Sequence, residues 1–185
     1  MSDSFLTDFS SIENNEISFY EHLQEADKAN EKLIKSISSI FESLINKNKK
    51  IKNYKKIIKS QNNSFFSNEK PEISIFDYLN RINNYCIPEE STLVISLILI
   101  DKFCLESKIV LNEFNIHRIL FSSFLISMKI NEDKIFTHKY FSSIAWIDIE
   151  ELKFLEFDFL KIINYNVFVS KNIYDKYYQY LNEEI

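Results

Sequence analysis

At 185 residues with 45% hydrophobic content, the chain is long enough for one domain with a sizeable core plus an appendage. It has no glycine and only two prolines, Pro71 and Pro88. Phosphate-cradling loops, dinucleotide fingerprints, the G-x-S-x-G nucleophile elbow and the glycine-rich loop of a protein kinase are therefore excluded, and left-handed turns must fall to Asn or Asp. The net charge of −5 is unevenly spread: residues 1–45 hold nine acids against three lysines, residues 46–60 hold seven lysines and no acid, and the remainder is acidic again.

Residues 1–18 are polar and poorly patterned and read as a flexible N-terminus. From Phe19 a four-three alternation of Phe19, Leu23, Ala26, Asn30, Leu33, Ile37, Ile40 and Leu44 predicts a long amphipathic helix over 19–45, its narrow seam interrupted by one polar residue, Asn30. Such a seam requires one partner surface. It is either the main domain of the same chain, or a second helix or protein docked through Phe19, Leu23, Leu33, Ile37 and Leu44. Residues 46–71 read as a lysine-rich linker. Lys47, Lys49, Lys50, Lys52, Lys55, Lys56 and Lys59 make a basic island, either a solvated face or a patch for nucleic acid or anionic lipid. Only two arginines occur in the chain, which argues against sequence-reading contacts to DNA.

The main domain begins near Glu72. Helical spacing predicts segments at about 73–85, 88–105, 115–130, 137–146 and 148–163, with a further one near 172–181. Pro88 suits a first helical turn, followed by Glu89 and Glu90 at the positive end of the helix dipole. Leu93 to Ile100 is apolar nearly all round, which places that helix at the centre of a bundle. Asn115 is a candidate N-cap for the next helix, whose Ile116, Ile119, Leu120, Phe124 and Met128 recur at helical spacing. Its small residues Ser122, Ser123 and Ser127 would let a neighbour approach closely, and Lys129 must reach the surface at its end. Cys86 and Cys104 are too far apart for a C-x-x-C motif and read as reduced core thiols. No apolar run approaches the roughly 18 residues of a membrane span, and acids stand where a secretory signal needs positive charge. The expectation is a soluble protein of cytoplasm and/or nucleus.

The ordered succession I-S-I-F-D-Y-L-N-R-I (73–82), L-I-L-I-D-K-F (97–103), N-I-H-R-I-L-F-S-S-F-L-I-S-M-K-I-N-E-D-K (115–134), Y-F-S-S-I-A-W-I (140–147) and E-L-K-F-L-E-F-D-F-L-K-I-I-N-Y-N-V (151–167) resembles the cyclin box. It is most similar to the P/U-type cyclins, the group containing the fungal phosphate-pathway cyclin. The resemblance implies an all-α fold: a single five-helix cyclin box over 72–169, preceded by the amphipathic helix and followed by a C-terminal helix over 170–185. It also implies a regulatory subunit, itself not an enzyme, that binds and activates a cyclin-dependent protein kinase. Lys129 matches the lysine with which cyclins hold backbone carbonyls beside the kinase C-helix, and Glu156 the glutamate that completes that clamp. Asp101 matches the aspartate of the Y-I-D-R-F pattern, with Lys102 in place of arginine. Asp77 matches the first-helix aspartate that supports an arginine five residues earlier, where this chain has Glu72. The M-R-A-I-L docking patch of cell-cycle cyclins is absent, so recruitment through an R-x-L motif is not expected.

Read from the residues alone, Lys129 and Glu156 would be solvated surface charges. Trp146 and the aromatic residues Phe154, Phe157 and Phe159 are core candidates, though those three cannot all face one way on a helix and at least one must lie at the surface. His117 suits packing or capping, and His22, His117 and His138 have no metal-binding spacing with acids or cysteines. No catalytic residue, cofactor or metal is expected. The alternative function is a cyclin-box scaffold that binds a non-kinase partner, or nucleic acid through the lysine island.

Overall fold

The computed structural model describes residues 30–61, 63–134 and 136–183. Every regular element among the described residues is a helix: α1 (30–48), α2 (Tyr54–Ser60), α3 (Ile75–Cys86), α4 (Glu90–Ser107), α5 (Ile116–Asn131), α6 (His138–Ala145), α7 (Ile149–Ile162) and α8 (Lys171–Glu183). Starts are set by side chains that accept from otherwise unpaired amides. Ser74 caps α3 through Asp77 N, Thr137 caps α6 through Tyr140 N, and Asp148 caps α7 through Glu150 N and Glu151 N. Two starts differ from expectation. Pro88 precedes the capping residue Glu89 and lies outside the first turn of α4. Asn115 stands at the start of α5, but its side chain turns back to accept from Asn112 N at 2.9 Å and to donate to Val110 O at 3.1 Å, tying down the preceding loop.

α4 packs against α5, α7 and α8, α5 also lies on α7, and α6 touches both α3 and α7. The apolar run Leu93 to Ile100 is buried on nearly every side, as a central helix requires. α5 is more enclosed than its spacing implied, because residues 119–128 are buried without a break. Small side chains permit this: Ser123 Oγ donates to Ser96 O of α4 at 2.6 Å, and Ser122 Oγ to Arg118 O at 2.8 Å. Cys86 is buried, Cys104 half-buried, and both are free; burial pushes each thiol up to about 12, so neither is a ready nucleophile.

The described part of the amphipathic helix, α1, packs in cis. Leu33, Ile34, Ile37, Phe41 and Ile45 belong to the main core, with Leu44 half-buried against it. That stripe is wider than a four-three seam, so α1 occupies a groove of its own domain rather than presenting a single ridge. Asn30 Nδ2 donates to Asn83 Oδ1 at 2.9 Å and to Pro88 O at 2.7 Å, and Ser36 Oγ to Leu181 O at 3.0 Å. Leu33 and Ile37 are therefore not available to an external partner; Phe19, Leu23 and Ala26 lie outside the described residues.

The stretch 46–71 is not a plain linker. α1 runs on to residue 48 and α2 turns Ile58 inward. Asn48 Nδ2 donates to Leu111 O at 2.9 Å, Tyr54 Oη to Glu113 at 3.0 Å, and Gln61 both gives to Lys108 O and takes from Val110 N. Phe65 is fully buried. The seven lysines are all exposed on this corner, and Lys49 lies 3.5 Å from Glu113.

Without glycine, Asn53 and Asn164 take left-handed backbone, as expected, but so do Ile87, Lys108, Trp146 and Tyr165. Three of these end helices: Ile87 N–H reaches Asn83 O, Lys108 N–H reaches Cys104 O, and Trp146 N–H reaches Ser142 O. The capped carbonyls offset a penalty of roughly 1–2 kcal/mol for each Cβ in that region. Lys108→Gly removes the penalty at an exposed site and is expected to stabilise the fold by about 0.5–1 kcal/mol, a rise of roughly 1–4 °C in thermal denaturation.

Candidate functional site

Lys129 sits in the last turn of α5, the first exposed residue after the buried stretch, where a cation suits the negative end of the helix. Glu156 lies midway along α7, whose Leu152, Leu155 and Phe159 point into the core. The α5–α7 contact brings the two side chains together, with Lys129 Nζ 2.5 Å from Glu156 Oε1. Around them Ile130, Phe154 and Phe157 are 46, 58 and 54% exposed. Phe154 and Phe157 are three residues apart and share one side of α7. Phe159, two positions on, turns inward and is fully buried. The result is an ion pair with three large exposed apolar side chains on the adjacent helical turns. A single ion pair at the surface contributes only about 0–1 kcal/mol to stability.

His138 was read from the sequence only as lacking a metal-binding arrangement. As the first residue of α6, it puts Nε2 at 2.8 Å from Glu156 Oε2 and 3.2 Å from Lys129 Nζ. No local spacing reveals this, since the three residues come from three helices.

The other family positions lie elsewhere. Asp77 accepts from Ser74 Oγ at 2.6 Å while its own N–H goes to that hydroxyl, a reciprocal cap at the start of α3. Asp101 accepts from Tyr177 Oη of α8 at 2.5 Å, and Lys102 donates to Phe168 O at 2.6 Å and Asn166 O at 3.3 Å. The D-K pair thus fastens the C-terminal segment to α4. Trp146 is not core: it is 65% exposed at the end of α6, with the Arg81 guanidinium 3.6 Å above its ring. Arg81 is held there by Ile144 O and Ser143 O, so the indole packs beneath a cation at the surface.

His117 has a packing position. Its Nε2 lies 3.1 Å from Ile73 O and its ring meets Tyr78 edge-on. Donation to that carbonyl puts the proton on Nε2, leaving Nδ1 as a buried acceptor without a partner. Burial pushes its pKa below the ordinary histidine value, against the opposing pull of the Ile73 and Ser74 backbone. A depressed histidine pKa means that the unfolded chain binds the proton more readily. This contribution to stability is full above an unfolded value of about 6.5 and is lost as pH falls below it, down through the folded value. Urea denaturation between pH 7.5 and 5.5 is expected to show a decline that His117→Gln reduces.

The Cyclin family model matches residues 31–167, beginning inside α1 and including the lysine-rich stretch. Cyclin-U4-1 of Arabidopsis thaliana is 30% identical over 156 residues, which is 83% of this chain and 76% of that protein. Cyclin-P4-1 of Oryza sativa subsp. japonica is 32% identical over 117 residues, 63% of this chain and 55% of that protein. PHO85 cyclin-like protein psl1 of Schizosaccharomyces pombe is 32% identical over 108 residues, 57% and 44% respectively. The chain belongs to the cyclin family, and its helical bundle is a cyclin box. Within the family, its similarity is to the P- and U-type cyclins.

Proposed function

We propose that the chain is the regulatory subunit of a cyclin-dependent kinase, itself without catalytic activity, and that it docks on the kinase C-helix through the face formed by Lys129, Glu156, Ile130, Phe154 and Phe157. The observation that carries this reading is the Lys129–Glu156 pair set amid exposed apolar side chains on α5 and α7. A kinase C-helix end offers backbone groups that a long cation and a long anion satisfy once water is excluded, while the flanking phenylalanines lose solvent. Docking favours the kinase conformation in which its lysine–glutamate pair is assembled, so activation is differential binding and all phosphoryl chemistry stays in the kinase. The PHO85 cyclin-like relative makes a PHO85-type kinase the first partner to test. Its setting would be the cytoplasm and/or nucleus; among the described residues no helix is long and apolar enough to cross a membrane.

The direct test mixes the purified full chain with a purified PHO85-type kinase and follows complex formation by size-exclusion chromatography and phosphorylation of a protein substrate. A stable complex with raised kinase activity is expected. Failure to bind or activate this kinase or any other cyclin-dependent kinase of the source genome would remove the assignment.

A further inference from the structure

Lys129 and Glu156 are joined in the free protein by a third group on a different helix. Glu156 is the most enclosed of the three, its side chain 13% exposed against 31% for Lys129 and 33% for His138. Its two oxygens are divided: Oε1 receives the Lys129 ammonium and Oε2 the His138 ring. The same His138 Nε2 is also 3.2 Å from Lys129 Nζ. One ring nitrogen cannot serve both neighbours at once. Carrying a proton, it donates to Glu156; bare, it accepts from Lys129.

We propose that His138 is a positioning residue for partner capture, holding the Glu156 carboxylate in place beside Lys129. This rests on the reading of Lys129 and Glu156 as the kinase-binding pair. With a neutral ring protonated at Nε2, the carboxylate is fixed by a neutral donor and keeps its full charge for Lys129. The charged groups that face the ring are Lys129 from α5 and Glu156 from α7. Lys139 is exposed beside it on α6, and Lys134 of the preceding loop lies over the Phe136 ring.

Binding of the full chain and its variants to the purified PHO85-type kinase at about pH 7.5 provides the test. His138→Ala is expected to weaken capture about three- to tenfold, and His138→Gln, whose amide still donates, to restore it to within about twofold. Wild-type capture by His138→Ala, or no rescue by glutamine, would each overturn the proposal. If Lys129→Ala and Glu156→Ala also bind as wild type, the kinase-docking reading itself fails; if they bind weakly and His138 is silent, only the role of His138 does.

Discussion

Lys129→Ala is expected to weaken kinase capture about 30- to 100-fold, and Glu156→Ala to a similar extent, while both variants remain folded. In the free protein the pair lies at the surface with Lys129 31% and the more enclosed Glu156 13% exposed, so loss of Lys129 should change stability by about 1 kcal/mol and thermal denaturation by roughly 2–4 °C, with Glu156→Ala the costlier of the two. If this face docks on the kinase as proposed, the same charges are desolvated beneath the partner in the complex. Removing one side of such an arrangement then leaves a buried group unpaired, a loss of about 2–3 kcal/mol. The two substitutions should not add, because the second removes a charge whose partner has already gone; a double-mutant cycle on the kinase complex measures that coupling. Ile130→Ala, one position along on the same exposed turn, provides the apolar comparison. An active kinase complex that forms equally well with the double variant would exclude this face as the docking site.

How much of this was legible in the sequence depends on the range over which each signal acts. Helix spacing and capping are local, and the segments over 73–163 lie where periodicity puts them, because Ser74, Thr137 and Asp148 stand directly before apolar repeats. Burial of α1 was only half legible: Leu33 and Ile37 mark a seam, but nothing nearby in the chain says that the groove receiving it is built by the same domain. The lysine run misled as a linker because its charges dominate the composition, whereas Asn48, Tyr54, Gln61 and Phe65 anchor it through contacts some 40 to 90 residues away. Trp146 was assigned to the core on hydrophobicity alone. Its position at the left-handed end of α6 and beneath Arg81 depends on a contact 65 residues away. Lys129 and Glu156 could be named through family likeness, but His138 could not, since its contacts exist only where α5, α6 and α7 meet.

Phe103→Ala is expected to destabilise the fold by about 3–5 kcal/mol, lowering thermal denaturation by roughly 6–20 °C. Phe103 of α4 is fully buried and stacks on Phe159 of α7 with ring centroids 4.6 Å apart; Phe65 meets it edge-on at 4.9 Å and Phe159 at 6.2 Å. The three rings join the central helix, the helix that carries Glu156 and the segment between α2 and α3. Truncating the middle ring deletes two aromatic contacts and opens a cavity that α4 is poorly placed to fill, being packed against α5, α7 and α8. The loss is a large fraction of the roughly 5–15 kcal/mol that holds a domain together. Phe103→Leu, which keeps most of the volume, should lose less, and Leu105→Ala, two positions along but 78% exposed, should change stability by no more than about 0.5 kcal/mol. Because Phe159 lies three residues beyond Glu156 on α7, the alanine variant should also lose some kinase affinity at temperatures where it remains folded. A Phe103→Ala melt within 2 °C of wild type would mean that these rings do not form the joint between the two ends of the domain.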